Sequence, residues 1–262
     1  MNDQIRYSFA GFCMGIAELI PGISGATVAV IFKIYPNLIS ILSKLRINNL
    51  SFNFLALSKT FQFKVSLPLI FSMLAAIILC SNLINFLISN YETTFLFFLG
   101  WLMIFLSIYT ADFFKALFQR PKLMLFLFAG ILIGLGLQKL SFGSGEITTI
   151  YLFIAGLAAF SFFLIPGISG SAMLVVLGVY APVIQGIANF NLNLLIPFAC
   201  GCLFSLLILP KLIFNLYSKN EQNLTYVFSG LIFSSGFLST SSNKFYVVEE
   251  GDSIWSISIK LN

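Results

Sequence analysis

Histidine is absent from the 262 residues, and only 9% of them are charged. Without histidine there is no Ser-His-Asp or Cys-His nucleophile pairing, no imidazole metal site and no imidazole proton relay. Charge is scarce relative to the about 25% of an average soluble domain, while 59% of the residues are hydrophobic and 16% aromatic. So few charges cannot cover a water-soluble surface, and the surplus apolar area must face lipid. A mean hydropathy of +1.00 agrees. The apolar runs are continuous, whereas an outer-membrane barrel alternates polar and apolar residues. An all-α polytopic membrane protein is expected.

Cysteine is also sparse. Cys13, Cys80, Cys200 and Cys202 all lie in apolar stretches without zinc-ligand spacing or partners, as small buried hydrophobes do. No metal site and no cofactor is expected. The net charge of +5 does not point to nucleic acid, because the basic residues are spread over loops between apolar segments, the pattern of membrane topology. The N-terminal stretch carries one basic residue, an acid at Glu18 and a Pro-Gly, so a cleaved signal peptide is not expected.

A repeat organises the chain. The string IPGISG occurs at 20–25 and again at 165–170, and the same offset of 145 aligns Ala10-Gly11 with Ala155-Gly156, Leu19 with Leu164, Tyr35 with Tyr180 and Ile39 with Ile184. The copies lie near 5–45 and 150–190. Pro21 and Pro166 each break a helix, the glycine that follows can leave helical geometry, and Ser24 and Ser169 stand where an N-cap would open a second half-helix. Interrupted segments at corresponding places in two halves point to a transporter's binding site.

Ordinary spans are predicted at 65–89, 93–112, 122–138, 192–212 and 224–237, each near the ~20 residues a bilayer core requires. Residues 40–64 read as a polar loop or a surface-lying helix. If each broken copy is a re-entrant hairpin, three intervening spans make the copies an inverted repeat; if each copy crosses, they run parallel. The hairpin arrangement puts Arg6, Lys33, Lys44, Arg46, Lys59, Lys64, Lys115, Arg120, Lys122, Lys211 and Lys219 on one side, against Lys139, Lys244 and Lys260. The crossing arrangement gives about ten against four, so the positive-inside rule prefers hairpins only slightly. The fold expected is an inverted repeat with two re-entrant broken-helix hairpins and about five full spans, N-terminus inside and C-terminus outside.

Half-helix N-termini inside a membrane expose amide N–H groups that favour an anion. The expected site comprises Gly22, Ser24, Gly25 and Thr27 from one copy with Gly167, Ser169, Gly170 and Ser171 from the other. Glu18 is the acid set deep in the element; it either carries a coupling proton or bonds back to the broken backbone, and its counterpart is Phe163. The Gly-Ile-Ser-Gly string also fits the Gly-x-Ser-Gly of rhomboid proteases, but these need a histidine base, which excludes that reading.

The strings AELIPGISGAT and FLIPGISGSAMLVVLGVYAPVI resemble the twin signatures of the bacterial polyprenyl-phosphate transporter family. There the first usually reads Ala-Asp-x-x-Pro-Gly-x-Ser-Gly-Gly-Thr; Glu18 stands here for the Asp and Ala26 for a Gly, while Ser24, Gly25, Thr27, Ser169, Gly170 and Ser171 match. The resemblance spans roughly residues 5–240, within a membrane domain expected at 1–240. It implies a translocase of the bacterial cytoplasmic (inner) membrane that flips undecaprenyl phosphate from the outer to the cytoplasmic leaflet for carrier-lipid recycling, with the anionic lipid as partner and proton or sodium coupling open. An ion-coupled transporter of a small soluble anion is the alternative. The polar tail, 241–262, resembles the start of a LysM module through Tyr246, Val248, Gly251, Asp252, Ser253, Ile254 and Ile257, which would imply contact with peptidoglycan.

Overall fold

A computed structural model describes residues 3–20, 22–45, 54–113, 119–139 and 147–241. Pro21 and the LysM-like tail lie outside the described residues. Every regular element among those described is a helix.

The first copy of the repeat comprises α1 (Asp3–Glu18), α2 (Gly25–Ile31) and α3 (Tyr35–Ser43). The chain continues through α4 (Phe54–Thr60), α5 (Phe63–Thr110) and α6 (Pro121–Lys139). The second copy comprises α7 (Thr149–Leu164), α8 (Gly170–Val176) and α9 (Tyr180–Ala188), followed by α10 (Leu192–Lys219) and α11 (Glu221–Ser241). The short helices α2 and α8, and likewise α3 and α9, have identical bounds at the 145-residue offset.

In both copies the short helix folds back along the one before it. Arg6, near the start of α1, donates to the carbonyls of Phe32 at 2.6 Å and Lys33 at 3.0 Å, beyond the end of α2. At the equivalent place in the second copy, Tyr151 donates to the Leu177 carbonyl at 2.6 Å. Each side chain satisfies carbonyls that a helix C-terminus leaves unpaired. The turn that follows needs a left-handed residue, Lys33 (φ 56°) in one copy and Gly178 (φ 68°) in the other. The axes of α8 and α9 differ by 116°.

The repeat extends beyond the 145-residue register. Tyr91 interrupts α5 at φ −137°, ψ 30°, and Asn220 separates α10 from α11 at φ −138°, ψ 45°. These positions correspond at an offset of 129, which also aligns Pro68 with Pro197 inside the two helices. The offset falls because residues 44–62 join α3 to α5, whereas only 189–191 join α9 to α10. Both breaks are reversals. Tyr217 stacks on Phe228 at 6.3 Å, although a continuous helix would separate them by about 16 Å; Ile84 and Leu96 likewise share one hydrophobic cluster.

Glycines set the helix spacing. A Cβ on Gly11 would lie 2.3 Å from the Leu69 carbonyl oxygen, and one on Gly156 would lie 2.1 Å from that of Phe198. These are the same contact in the two copies, α1 on α5 and α7 on α10. Gly130 and Gly230 join α6 to α11 in the same way. Small residues let helices approach where no solvent drives them together. The second segment of α5 meets α11 with Gly100 against Gly236, and the Ser107 hydroxyl donates to the Ser229 carbonyl at 2.6 Å. The pairing number rises on one helix as it falls on the other, so the two run antiparallel.

Among the described residues, two helices, α5 and α10, are long and apolar enough on their own to cross a membrane; the bent pair α8–α9 meets the same test only when its two helices are taken together. Large apolar side chains such as Phe71, Ile78, Phe105 and Leu207 stand exposed on α5 and α10, as lipid-facing surfaces do.

Candidate functional site

The two interruptions come together inside the protein. Thr27 Oγ1 accepts the amide N–H of Gly167 at 2.9 Å. Ser24 Oγ lies 3.4 Å from the Phe163 carbonyl, to which it donates, and accepts the Ala26 N–H at 3.2 Å as the N-cap of α2. The Tyr35 hydroxyl donates to the Leu164 carbonyl at 3.0 Å. Helix α11 joins the assembly through Ser235, whose hydroxyl donates to the Gly22 carbonyl at 3.1 Å. Each bond satisfies a backbone group that a broken helix would otherwise leave without a partner in a medium that offers none.

Glycine is required at both breaks. Gly22 and Gly167 have φ of 84° and 83°, a conformation disfavoured by a Cβ. Pro166 is fully buried at the second break; its missing N–H leaves no donor to satisfy there. Gly25 and Gly170 open the half-helices, and a Cβ on either would meet an oxygen at 2.7 Å: the Glu18 carboxylate in one copy, the Ala159 carbonyl in the other.

The chemistry of the two half-helix starts differs. Glu18 Oε1 accepts the Gly25 N–H at 2.7 Å, so α2 carries its own carboxylate at its positive end. In the second copy Phe163 occupies that place, and Ser169 makes no capping bond. Its hydroxyl pairs instead with that of Ser171 at 2.7 Å. Ser169 is buried and Ser171 exposed. Of the eight candidate residues, Ser24, Thr27 and Gly167 therefore knit the two copies together, while Ser169 and Ser171 form a separate hydroxyl pair. The Glu18–Gly25 bond is the return to the broken backbone foreseen as one of its two roles. Arg6, one of the basic residues counted for topology, binds the carbonyls after α2.

Tyr35 and Ser235 were not anticipated. Tyr35 had a signal, its identity with Tyr180 in the repeat register. Ser235 belongs to a run of buried serines on α11 (Ser229, Ser234, Ser235, Ser239), and nothing in that run indicated which one faces the break. No group of metal-ligating side chains is found among the described residues.

Two broken helices, meeting through polar contacts within a bundle whose outer face is apolar, define a helical membrane protein of the transporter class. The sequence matches the undecaprenyl phosphate translocase-like family over residues 14–249, and the chain belongs to that family. It is 31% identical over 214 residues to the polyprenyl-phosphate transporter of Vibrio cholerae serotype O1, covering 79% of this chain and 68% of that one. It is 35% identical over 222 residues to the polyprenyl-phosphate transporter of Staphylococcus aureus, covering 78% and 74%. No solved structure matches. The family is one of transporters, and the protein is not an enzyme.

Proposed function

We propose that the protein returns polyprenyl phosphate from the outer to the cytoplasmic leaflet of the bacterial inner membrane, so that the carrier lipid re-enters cell-envelope synthesis. The carrying observation is the Ser169–Ser171 hydroxyl pair at the start of α8, where no side-chain carboxylate caps the helix. A phosphate there gains hydroxyl and amide donors together. The names of the two relatives supply the polyprenyl chain.

On this reading the architecture is an inverted repeat with five full spans: 63–90, 92–110, α6, α10 and α11. The hairpins α1–α2 and α7–α8 enter from opposite faces and return. The antiparallel contact of the second α5 segment with α11 supports this, because the 129-residue offset carries Gly100 to Ser229 and Ser107 to Gly236, exchanging the two ends of one contact. The eleven basic residues then face the cytoplasm with the N-terminus, and the C-terminus lies outside. A tail there would reach peptidoglycan. Helix dipoles directed at the mid-membrane from half-helices are how such repeats hold anionic groups.

Vesicles containing the purified protein and a fluorescent polyprenyl phosphate test this directly. Loss of outer-leaflet fluorophore at a rate above that of empty vesicles is expected, and equal rates would refute the proposal. Coupling is tested at Glu18. A Glu18→Gln variant keeps an oxygen for the Gly25 N–H but cannot carry a charge. It should fold and bind lipid normally while its transport rate becomes independent of pH between 5 and 8. A pH profile identical to the wild type would leave Glu18 a purely structural cap.

A further inference from the structure

A cavity of about 250 Å³ opens beside the second break, lined throughout by apolar side chains. Its lining includes Ile165 and Ile168 from the break, Leu216 of α10, Phe228 of α11, and Ile133 and Leu137 of α6. Nothing in this lining could hold an ion, a sugar or an ordered water, which needs two to four polar partners. Yet Ile168, in its lining, is followed along the chain by Ser169, whose hydroxyl pairs with that of Ser171. A hydroxyl pair next along the chain from a wholly apolar trough fits a single kind of ligand, an amphiphile with a hydrogen-bonding head and a hydrocarbon chain.

The first copy carries counterparts of four of these residues. By the repeat, Ile165, Ile168, Leu216 and Phe228 correspond to Ile20, Ile23, Leu87 and Leu99, and those four pack together in a cluster around Ile20, Ile84 and Leu96. What distinguishes the second side is α6, the helix between the two copies; the repeat supplies no partner for it among the described residues. Packed parallel to α11 through Gly130 and Gly230, it supplies Ile133 and Leu137 to the lining. The trough runs from the break toward the turn at Lys219 and Asn220, on the side that carries the excess of basic residues.

We propose that this trough, walled by α6, binds the isoprene units nearest the phosphate while the head rests on Ser169 and Ser171. This rests on the transport reading above and adds to it where the chain lies.

The test uses the full-length protein in phospholipid vesicles with a polyprenyl phosphate bearing a diazirine on the isoprene unit next to the phosphate. After illumination, adducts are expected on the segments around Ile133–Leu137 and Leu216. Excess unlabelled polyprenyl phosphate should suppress them and inorganic phosphate should not; suppression by inorganic phosphate would mean that the head alone is recognised, overturning the trough. Leu216→Trp, which fills the cavity, should reduce both adduct yield and transport at least tenfold, whereas Leu216→Met should leave both within twofold. Adducts confined to lipid-facing positions such as Phe105 or Leu207, or wild-type transport by Leu216→Trp, would overturn the trough while leaving the transport reading intact. Wild-type protein that neither moves the lipid nor takes the label would overturn both. The adduct map requires no substitution, so a tryptophan variant that fails to fold does not decide the matter.

Discussion

Replacing Ser169 and Ser171 together by alanine is expected to abolish measurable transport while the protein still inserts and folds. Each hydroxyl offered to a phosphate makes a charge-assisted hydrogen bond of about 1.5–3 kcal/mol. Since about 1.4 kcal/mol is a factor of ten in affinity, each single variant should bind roughly 10- to 100-fold more weakly, and the double variant more weakly again. Folding should be spared. Neither hydroxyl satisfies a backbone group, for the two bond each other at 2.7 Å and Ser169 caps nothing. Ser24→Ala and Thr27→Ala should behave differently. Their oxygens hold Ala26, Phe163 and Gly167, so their loss should lower thermal stability in detergent along with transport. Binding measured with vesicle-borne polyprenyl phosphate, set beside melting curves, separates the two pairs. Wild-type binding by the Ser169→Ala/Ser171→Ala protein would place the head site elsewhere.

The second large effect is expected at Gly167. A Cβ there would stand 2.5 Å from the backbone nitrogen of Ile232 and 2.5 Å from the Leu231 carbonyl carbon, at a φ of +83°. The conformation costs an L-residue roughly 1–2 kcal/mol, and forcing extra volume into a packed site typically costs about 1–3 kcal/mol more. Gly167→Ala should therefore remove several kcal/mol of stability, lowering the melting temperature markedly and separating the break from α11. The other positive-φ glycine of this copy offers a control. Gly178 corresponds to Lys33, which holds the same left-handed turn with a full side chain. Gly178→Asn should consequently be tolerated, because asparagine accepts that conformation readily. Equal melting temperatures for the Gly167 and Gly178 variants would show that crowding by α11 contributes nothing.

Much of this was legible in the sequence where chemistry constrains single positions. Proline and glycine at a break, and serine at the start of the next helix, leave few alternatives, so IPGISG located both interruptions and the 145-residue register carried through α2, α3, α8 and α9. Beyond Tyr35 and Ile39 the 145-residue register was lost, because residues 44–62 have no counterpart of equal length; α5 and α10 keep identities such as Pro68/Pro197, Leu83/Leu212, Ile84/Ile213 and Leu87/Leu216 only at the shorter offset. Lipid-facing and packed apolar residues are interchangeable, so such helices keep their structure while their identities drift. The meeting of Thr27 with Gly167, and of Ser235 with Gly22, was beyond reach for another reason: bonds across 140 and 213 residues depend on how helices pack, which local pattern does not record.

The antiparallel seam between the second α5 segment and α11 bears on how the protein is made. Ser107 waits for Ser229, which follows it by 122 residues. At the ~5–20 residues per second of synthesis, that interval is roughly 6–25 s. During it the first half sits in the bilayer with one face of α5 unmatched and the Gly22 carbonyl still without Ser235. The nascent chain thus passes through a stage in which one half is inserted and the other is still being translated, and the polar contacts at the core of the finished transporter close only with its last described helix.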